Sequence, residues 1–103
     1  MTTTYSIKAE TNHILRVAFG APAGNDRIIQ DAEAQLSALI QTGRLPGGKL
    51  LKINGPASMP VAMLLGHRLS HLYETLACFD PKLGRYVVVS SHGGEHQLGD
   101  LLK

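Results

Sequence analysis

Asp80 is the residue of this sequence whose position points most directly to chemistry. It ends an apolar segment and directly precedes Pro81. Carboxylate oxygens are the ligands that hard divalent cations prefer, so Asp80 is a candidate metal ligand. Lys82 follows two positions later and could hold a phosphate. Asp-Pro also commonly begins a turn, and in that case Asp80 has only a structural role.

The segment from Asn54 to Ser58 is a second candidate site, for an anion. It leads from a predicted strand into a predicted helix and contains Gly55 and Pro56. Free backbone N–H groups and the helix dipole favour an anion at such a point. We therefore predict that Asn54, Gly55, Pro56 and Ser58 bind substrate phosphates. The alternative is an ordinary connection built from common turn residues.

Histidines form the third group of candidates. His67 and His71 stand four residues apart in the second predicted helix, so they share one of its faces. That face lies away from the apolar stripe, which predicts an exposed position or a subunit interface. The pair does not match a zinc-protease helix, because Arg68 follows His67 where glutamate is needed. His92 ends the last predicted strand, at the same end of the sheet as His71.

The charge pattern favours a polyanionic partner. The net charge is only +2, but no acidic residue occurs between Glu33 and Glu74. That interval carries four basic side chains, at Arg44, Lys49, Lys52 and Arg68. Such a bias suits phosphates, and a solvated basic face without a ligand is the alternative.

Length and composition bound the class of protein. With 103 residues, 44% of them hydrophobic and 17% charged, the chain predicts one globular domain over residues 1–103. No apolar run approaches the ~20 residues of a membrane span, and the start lacks a signal-peptide pattern. The single cysteine, Cys78, cannot form an internal disulfide. We therefore expect a cytoplasmic protein without a membrane partner.

The elements that must position these residues follow the order ββαβαββ. The strands are predicted over residues 5–10, 13–19, 49–54, 77–79 and 85–91. The first helix is predicted to start with a cap at Asn25 or Asp26 and to stop at Gly43. The second is predicted to run from a cap at Ser58 to about Leu76. This order predicts an α/β fold with a parallel core and antiparallel edge strands.

This fold separates the candidate residues. His71 lies about eleven residues into the second helix, roughly 16 Å along its axis, and that helix runs back from the carboxyl edge of the sheet. Asp80 returns to the carboxyl edge through the next strand. We therefore expect His71 and Asp80 near opposite ends of one subunit. If both serve one reaction, the site must join two subunits.

Three stretches of the sequence together resemble a known family: Gly47 to Ala62, the pair His67 and His71, and Phe79 to Val88. They are similar to a small CRISPR-associated protein of type III systems, the third class of CRISPR ring nucleases. The resemblance covers about residues 43–102.

The resemblance implies a Rossmann-like, dimeric fold and cleavage of cyclic tetra-adenylate, a second messenger that activates antiviral effectors. It implies manganese as the metal, with magnesium as an alternative, and dimers that stack into a tetramer or filament around the ring. The family's essential histidine and aspartate match His71 and Asp80. Its basic residue after the aspartate, often arginine, corresponds to Lys82, and His92 matches a further histidine of the substrate site. Some longer members carry an ATPase domain.

Three functions remain open at this point. The chain is a ring nuclease, a module that binds the cyclic oligoadenylate without cutting it, or a manganese-dependent nuclease acting on linear RNA 3′ ends. A complete pair of His71 and Asp80 argues against pure binding. The low aromatic content of 5% argues against a stacking platform for long single strands.

Overall fold

A single six-stranded sheet organises the computed structural model, which describes residues 3–103. The elements, in chain order, are β1 (Tyr5–Glu10), β2 (Ile14–Phe19), α1 (Asn25–Gln41), β3 (Gly48–Asn54), α2 (Met59–Ser70), β4 (Tyr73–Asp80), β5 (Arg85–Ser91) and β6 (Leu101–Leu102). No helix in this described part is long and apolar enough to cross a membrane.

The strands lie side by side in chain order. β2, β3 and β4 are parallel, while β1 pairs with β2, β5 with β4, and β6 with β5 in antiparallel fashion. The predicted α/β arrangement, a parallel core with antiparallel edges, is confirmed. The short strand β6 was not predicted, because two leucines after a polar tail carry no period that identifies a strand.

Both helices cover the same face of the sheet. α1 packs on β1, α2 packs on β4 and β5, and the two helices contact each other. The main core fills this layer and includes Leu15, Leu36, Leu51 and Leu69. A smaller cluster of Ala77, Tyr86 and Val88, with Leu102 packed against it, lies on the opposite face. That face has no helix over it in residues 3–103.

The second helix is shorter than predicted. It ends at Ser70, and β4 begins at Tyr73, so the predicted helix to about Leu76 and the predicted strand from Ala77 are wrong. Leucines at positions 65, 69, 72 and 76 fit a helical stripe, but pairing with β3 takes precedence. Leu76 lies opposite Leu51 in the parallel ladder, and the N–H of Gly48 donates to the Leu72 carbonyl over 3.1 Å.

Two of the three residue positions predicted to cap or stop a helix do so. Ser58 caps α2, as predicted, and accepts a hydrogen bond from the Val61 N–H. Gly43, with a φ of +78°, ends α1 in a Schellman motif. The predicted cap at Asn25 or Asp26 is wrong: the N-cap of α1 is Gly24, and no side chain caps it.

Candidate functional site

Parallel strands give the domain two distinct ends. We call the end where β2, β3 and β4 finish the carboxyl pole; of the predicted site residues it holds Asn54, Gly55, Pro56, Ser58, Asp80 and Lys82. We call the end where β4 begins and β5 finishes the amino pole; it holds His71 and His92. The structure therefore divides the predicted site residues into two groups.

Asp80 is the last residue of β4 and shapes the turn that follows. Its Oδ1 accepts the backbone N–H groups of Lys82 at 2.8 Å and Leu83 at 3.3 Å. Within residues 3–103, Oδ2 of Asp80 makes no hydrogen bond. One carboxylate oxygen thus fixes the turn and the other remains available to a ligand. The predicted turn role and the predicted ligand role are compatible.

The loop from Asn54 to Pro56 is held from both sides. Nδ2 of Asn54 donates to the hydroxyl of Tyr86 over 3.0 Å, and the hydroxyl of Tyr5 donates to the Pro56 carbonyl over 2.6 Å. Burial raises the pKa of Tyr5 to about 12, so its phenol stays a neutral donor. The loop is consequently held by two hydrogen bonds before any ligand arrives.

Gly55 is required by the close approach of this loop to β2. Its φ is +132°, and a Cβ built there would lie 1.8 Å from the carbonyl oxygen of Val17. A side chain of any size would push the loop away from β2. The glycine therefore sets the position of Asn54 and Pro56 at the carboxyl pole.

Ser58 has a structural task at the start of α2. Its hydroxyl donates to Oδ1 of Asn25 over 2.8 Å and accepts the Val61 N–H at 3.4 Å. Pro60 has no N–H to offer, and the Ala62 N–H donates to the Ser58 carbonyl. Few donors of this helix start are left for an anion, so phosphate binding here depends mostly on the preceding loop.

A groove opens at the carboxyl pole, between the loop from Asn54 to Pro56 and the two residues that flank Asp80 in the chain. It has a volume of about 480 Å³ and is lined by Asn54, Gly55, Pro56, Phe79 and Pro81. The sequence prediction missed Phe79, a strand residue that is 36% exposed. The one feature of the sequence that could have indicated a role for Phe79 is its position directly before Asp80.

Histidines cluster at the amino pole. His71 caps the C-terminal end of α2 and is exposed, and its ring centroid lies 5.1 Å from that of His67 with the planes at 88°. Nε2 of His92 lies 3.0 Å from the Ser70 carbonyl oxygen. A carbonyl only accepts, so Nε2 of His92 carries the proton of this bond. His92 therefore lies at the same end of the sheet as His71, as the sequence predicted.

His71 and Asp80 are far apart in one protomer. His71 stands two residues before β4 and Asp80 is the last residue of this eight-residue strand. At about 3.3 Å per residue the strand spans roughly 23 Å. The prediction that the two residues lie at opposite ends of one subunit is confirmed, and no contact between them exists within the described chain.

The basic residues of the acid-free interval do not form one patch. Arg68 on α2 binds the carboxylate of Glu33 on α1, which lowers the pKa of Glu33. Lys52 lies on the other face of the sheet, over the ring of Tyr86, with Nζ 5.5 Å from the ring centroid. The charge bias seen in the sequence is thus divided between two faces.

The donor set at Asp80 fits a divalent cation that takes much of its coordination from the substrate. Within residues 3–103, no group of three or more His, Cys, Asp or Glu side chains lies close enough to hold a metal. Cations such as Mg²⁺ are usually held by one or two carboxylates together with phosphate oxygens and water. The free Oδ2 of Asp80 matches that arrangement, with phosphate or a second chain supplying the remaining ligands.

Comparison with known proteins adds one relationship. The family model described as CRISPR-associated protein (Cas_csx3) matches residues 25–103, which is about three-quarters of the chain. A search of curated proteins and a search of solved structures gave no match. The matched range contains every predicted site residue at both poles.

Proposed function

The chain belongs to the Cas_csx3 family of CRISPR-associated proteins, and from this premise we propose that it is a ring nuclease that cleaves cyclic tetra-adenylate. In this proposal it ends the antiviral signalling of a type III system by destroying the second messenger. Dimers stack head to tail around the ring, as a tetramer or a filament, and a divalent cation, manganese or magnesium, is required.

The observation that carries the proposal is the position of His71 and Asp80 at opposite ends of β4. One protomer cannot bring the two side chains to one phosphate. Head-to-tail stacking does so, because it sets the carboxyl pole of one dimer against the amino pole of the next. The proposed active site is complete only where two dimers meet.

The carboxyl pole supplies the groups that bind the phosphate. Oδ2 of Asp80 would hold the cation, which when bound stabilises negative charge on the scissile phosphate. The exposed Lys82 adds a positive charge two residues away. Because Oδ1 of Asp80 is fixed by two backbone N–H groups, the carboxylate needs little reorganisation when the ring binds.

The amino pole supplies the group that moves a proton. His71 is exposed at the end of α2, so its imidazole can reach a ring held by the neighbouring dimer. An imidazole both accepts and donates protons near neutral pH, which suits general acid or base catalysis of phosphodiester cleavage. The edge contact with His67 and the bond from His92 to Ser70 limit the movement of this helix end.

The direct test is incubation of the protein with cyclic tetra-adenylate, with manganese and with a chelator, followed by separation of the products. We expect the ring to disappear with manganese and to persist with the chelator. Tight binding without turnover would identify a sensor instead. Equal loss of a linear tetra-adenylate would identify a nuclease of linear RNA ends, and either result overturns the proposal.

Mixed variants test the shared site. We expect His71→Ala and Asp80→Ala to be inactive alone. An equimolar mixture should recover about a quarter of the wild-type rate, because random stacking joins an intact imidazole to an intact carboxylate at one interface in four. Each variant at doubled concentration is the control. No recovery while ultracentrifugation shows intact stacks, or full activity of a monomer, contradicts the shared site.

A further inference from the structure

We propose that Phe79 is a stacking platform for an adenine base of the ring, and that the groove beside it is the base-binding subsite. This inference rests on the function proposed above and specifies how the carboxyl pole recognises its substrate. Stacking on a base requires an aromatic face, which neither Asp80 nor Lys82 has.

The aromatic residues divide sharply by exposure. The three tyrosines, Tyr5, Tyr73 and Tyr86, are at most 8% exposed. The two phenylalanines, Phe19 and Phe79, are 46% and 36% exposed. Both lie at the carboxyl pole, Phe19 as the last residue of β2 and Phe79 as the next-to-last residue of β4. The aromatic faces open to a ligand are therefore at the pole that carries Asp80.

Only Phe79 of these two lines the groove. The other lining residues are the loop Asn54 to Pro56 and Pro81, so the walls are mostly apolar. The volume of about 480 Å³ lies in the range of roughly 300–1,000 Å³ that is usual for small-molecule sites. Apolar walls and an aromatic ring suit a flat base, which stacks through its π-face, better than they suit a phosphate or a ribose.

The ring of Phe79 is held in place before a ligand binds. It meets the ring of Tyr86 edge to face, with centroids 5.2 Å apart and planes at 64°. The hydroxyl of Tyr86 is in turn fixed by Nδ2 of Asn54. Rotation of Phe79 away from the groove would lose this contact. A platform that is already ordered loses less conformational entropy on binding.

The chain position of Phe79 links base binding to cleavage. Phe79 and Asp80 are consecutive in β4, so their side chains leave the strand toward opposite faces of the sheet, and Phe79 lines the groove with Pro81 while Asp80 does not. Because consecutive Cα atoms lie only about 3.8 Å apart, a base stacked on Phe79 would leave its phosphate at the same end of β4 as Asp80. Base binding and alignment of the scissile bond would then depend on neighbouring residues at one end of β4.

Fluorescence of 2-aminopurine provides a test that is independent of cleavage. The probe is cyclic tetra-adenylate in which one adenine is replaced by 2-aminopurine, bound in the presence of a chelator. Stacking of the base on an aromatic ring quenches its emission. We expect quenching by the wild-type protein, and about tenfold to a hundredfold weaker binding without quenching for Phe79→Ala and Phe79→Leu. Phe79→Trp should keep both.

Phe19→Ala is the matched control. Phe19 is an exposed phenylalanine at the same pole and also meets a buried tyrosine edge to face, with centroids 5.2 Å apart, but it does not line the groove. We expect its affinity and quenching to match those of the wild type. Phe79→Leu guards against misfolding, since it keeps an apolar contact with Tyr86.

The outcomes separate this inference from the proposed function. If the wild type cleaves the ring and a folded Phe79→Leu variant binds the probe as tightly as the wild type does, the proposed role of Phe79 is wrong. The proposed nuclease activity then still stands. Quenching that depends on Phe79 without any cleavage supports the platform and overturns the nuclease. No binding of the probe, together with no cleavage of the ring by the wild type in manganese, overturns both.

Discussion

His92 and Ser70 connect the two chain segments that form the amino pole. Nε2 of His92 donates to the Ser70 carbonyl over 3.0 Å, and the N–H of His92 donates to the Glu74 carbonyl over 2.9 Å. The end of β5 is thereby attached to the last turn of α2, one residue before His71. His92 and His71 thus belong to the same half of the proposed composite site, although they are distant in sequence.

This grouping predicts which inactive variants rescue each other. His92→Ala mixed with His71→Ala should not recover activity, because both variants damage the amino pole and no interface is complete. His71→Ala mixed with Lys82→Ala should recover about a quarter of the wild-type rate, since the damaged poles differ. Cleavage of cyclic tetra-adenylate by the equimolar mixtures measures this. Recovery of activity in the mixture altered only at the amino pole would contradict the assignment. So would a lack of recovery in the mixture altered at different poles.

Two substitutions of Asp80 should separate its charge from its role in the turn. Asp80→Asn keeps an oxygen that can accept the Lys82 and Leu83 N–H groups, so unfolding free energy should change by less than about 0.5 kcal/mol. Activity should be lost, because the negative charge for the cation is gone. Asp80→Ala should lose activity and also about 1 kcal/mol of stability. Urea unfolding and the cleavage assay, run on both variants, check the difference.

Glycine substitutions test the loop at the carboxyl pole. Gly55→Ala should cost about 3–5 kcal/mol, because its Cβ would meet the Val17 carbonyl oxygen at 1.8 Å and its φ is positive. Gly66→Ala is the control inside α2, where a Cβ has nothing within 4 Å. It should stabilise the protein by about 0.5–1 kcal/mol. Thermal unfolding of both variants measures the contrast, and a mild effect at Gly55 would refute the close approach.

Asp31 should contribute to the pH dependence of stability. Hydrogen bonds from the hydroxyl and the N–H of Thr4, at 2.7 and 2.9 Å, lower the pKa of this carboxyl from its ordinary value of 3.8. The unfolded chain therefore binds this proton more readily, so the stabilisation is present above the ordinary pKa and is lost as pH falls through the lower folded value. Asp31→Asn should be less stable than the wild type at about pH 7, with a smaller difference at about pH 2.5.

The control for that prediction is Glu95→Gln, which removes an exposed carboxyl that makes no hydrogen bond within residues 3–103. The urea concentration at which half of the Glu95→Gln protein is unfolded should equal that of the wild type at both pH values. A constant difference between Asp31→Asn and the wild type across the same range would show that the Thr4 contact is not charge-dependent.

Sequence reasoning was most successful where local rules decide the structure. The strand from Tyr5 to Glu10, the cap at Ser58 and the stop at Gly43 depend on neighbouring residues, and each was predicted. The boundary between α2 and β4 was not, because the leucines at 69, 72 and 76 continue the helical spacing. Pairing with β3 decides it, and that contact joins residues more than twenty positions apart.

The candidate site shows the same division. The placement of His71 and Asp80 at opposite poles follows from element order alone, and the structure confirms it. Phe79 was missed, since a phenylalanine in an apolar strand looks like a core residue. Its exposure depends on where the loop at Asn54 and the turn at Pro81 leave a groove, which no local pattern specifies.

Because β2, β3 and β4 run in the same direction, the two ends of each subunit differ from each other. In the proposed stack, every added layer completes one catalytic interface and leaves unmatched surfaces at the two terminal layers. The rate per chain of the proposed cleavage should consequently rise with protein concentration, and dilution alone should abolish it. Degradation of the messenger would then be governed by how much of the protein the cell makes.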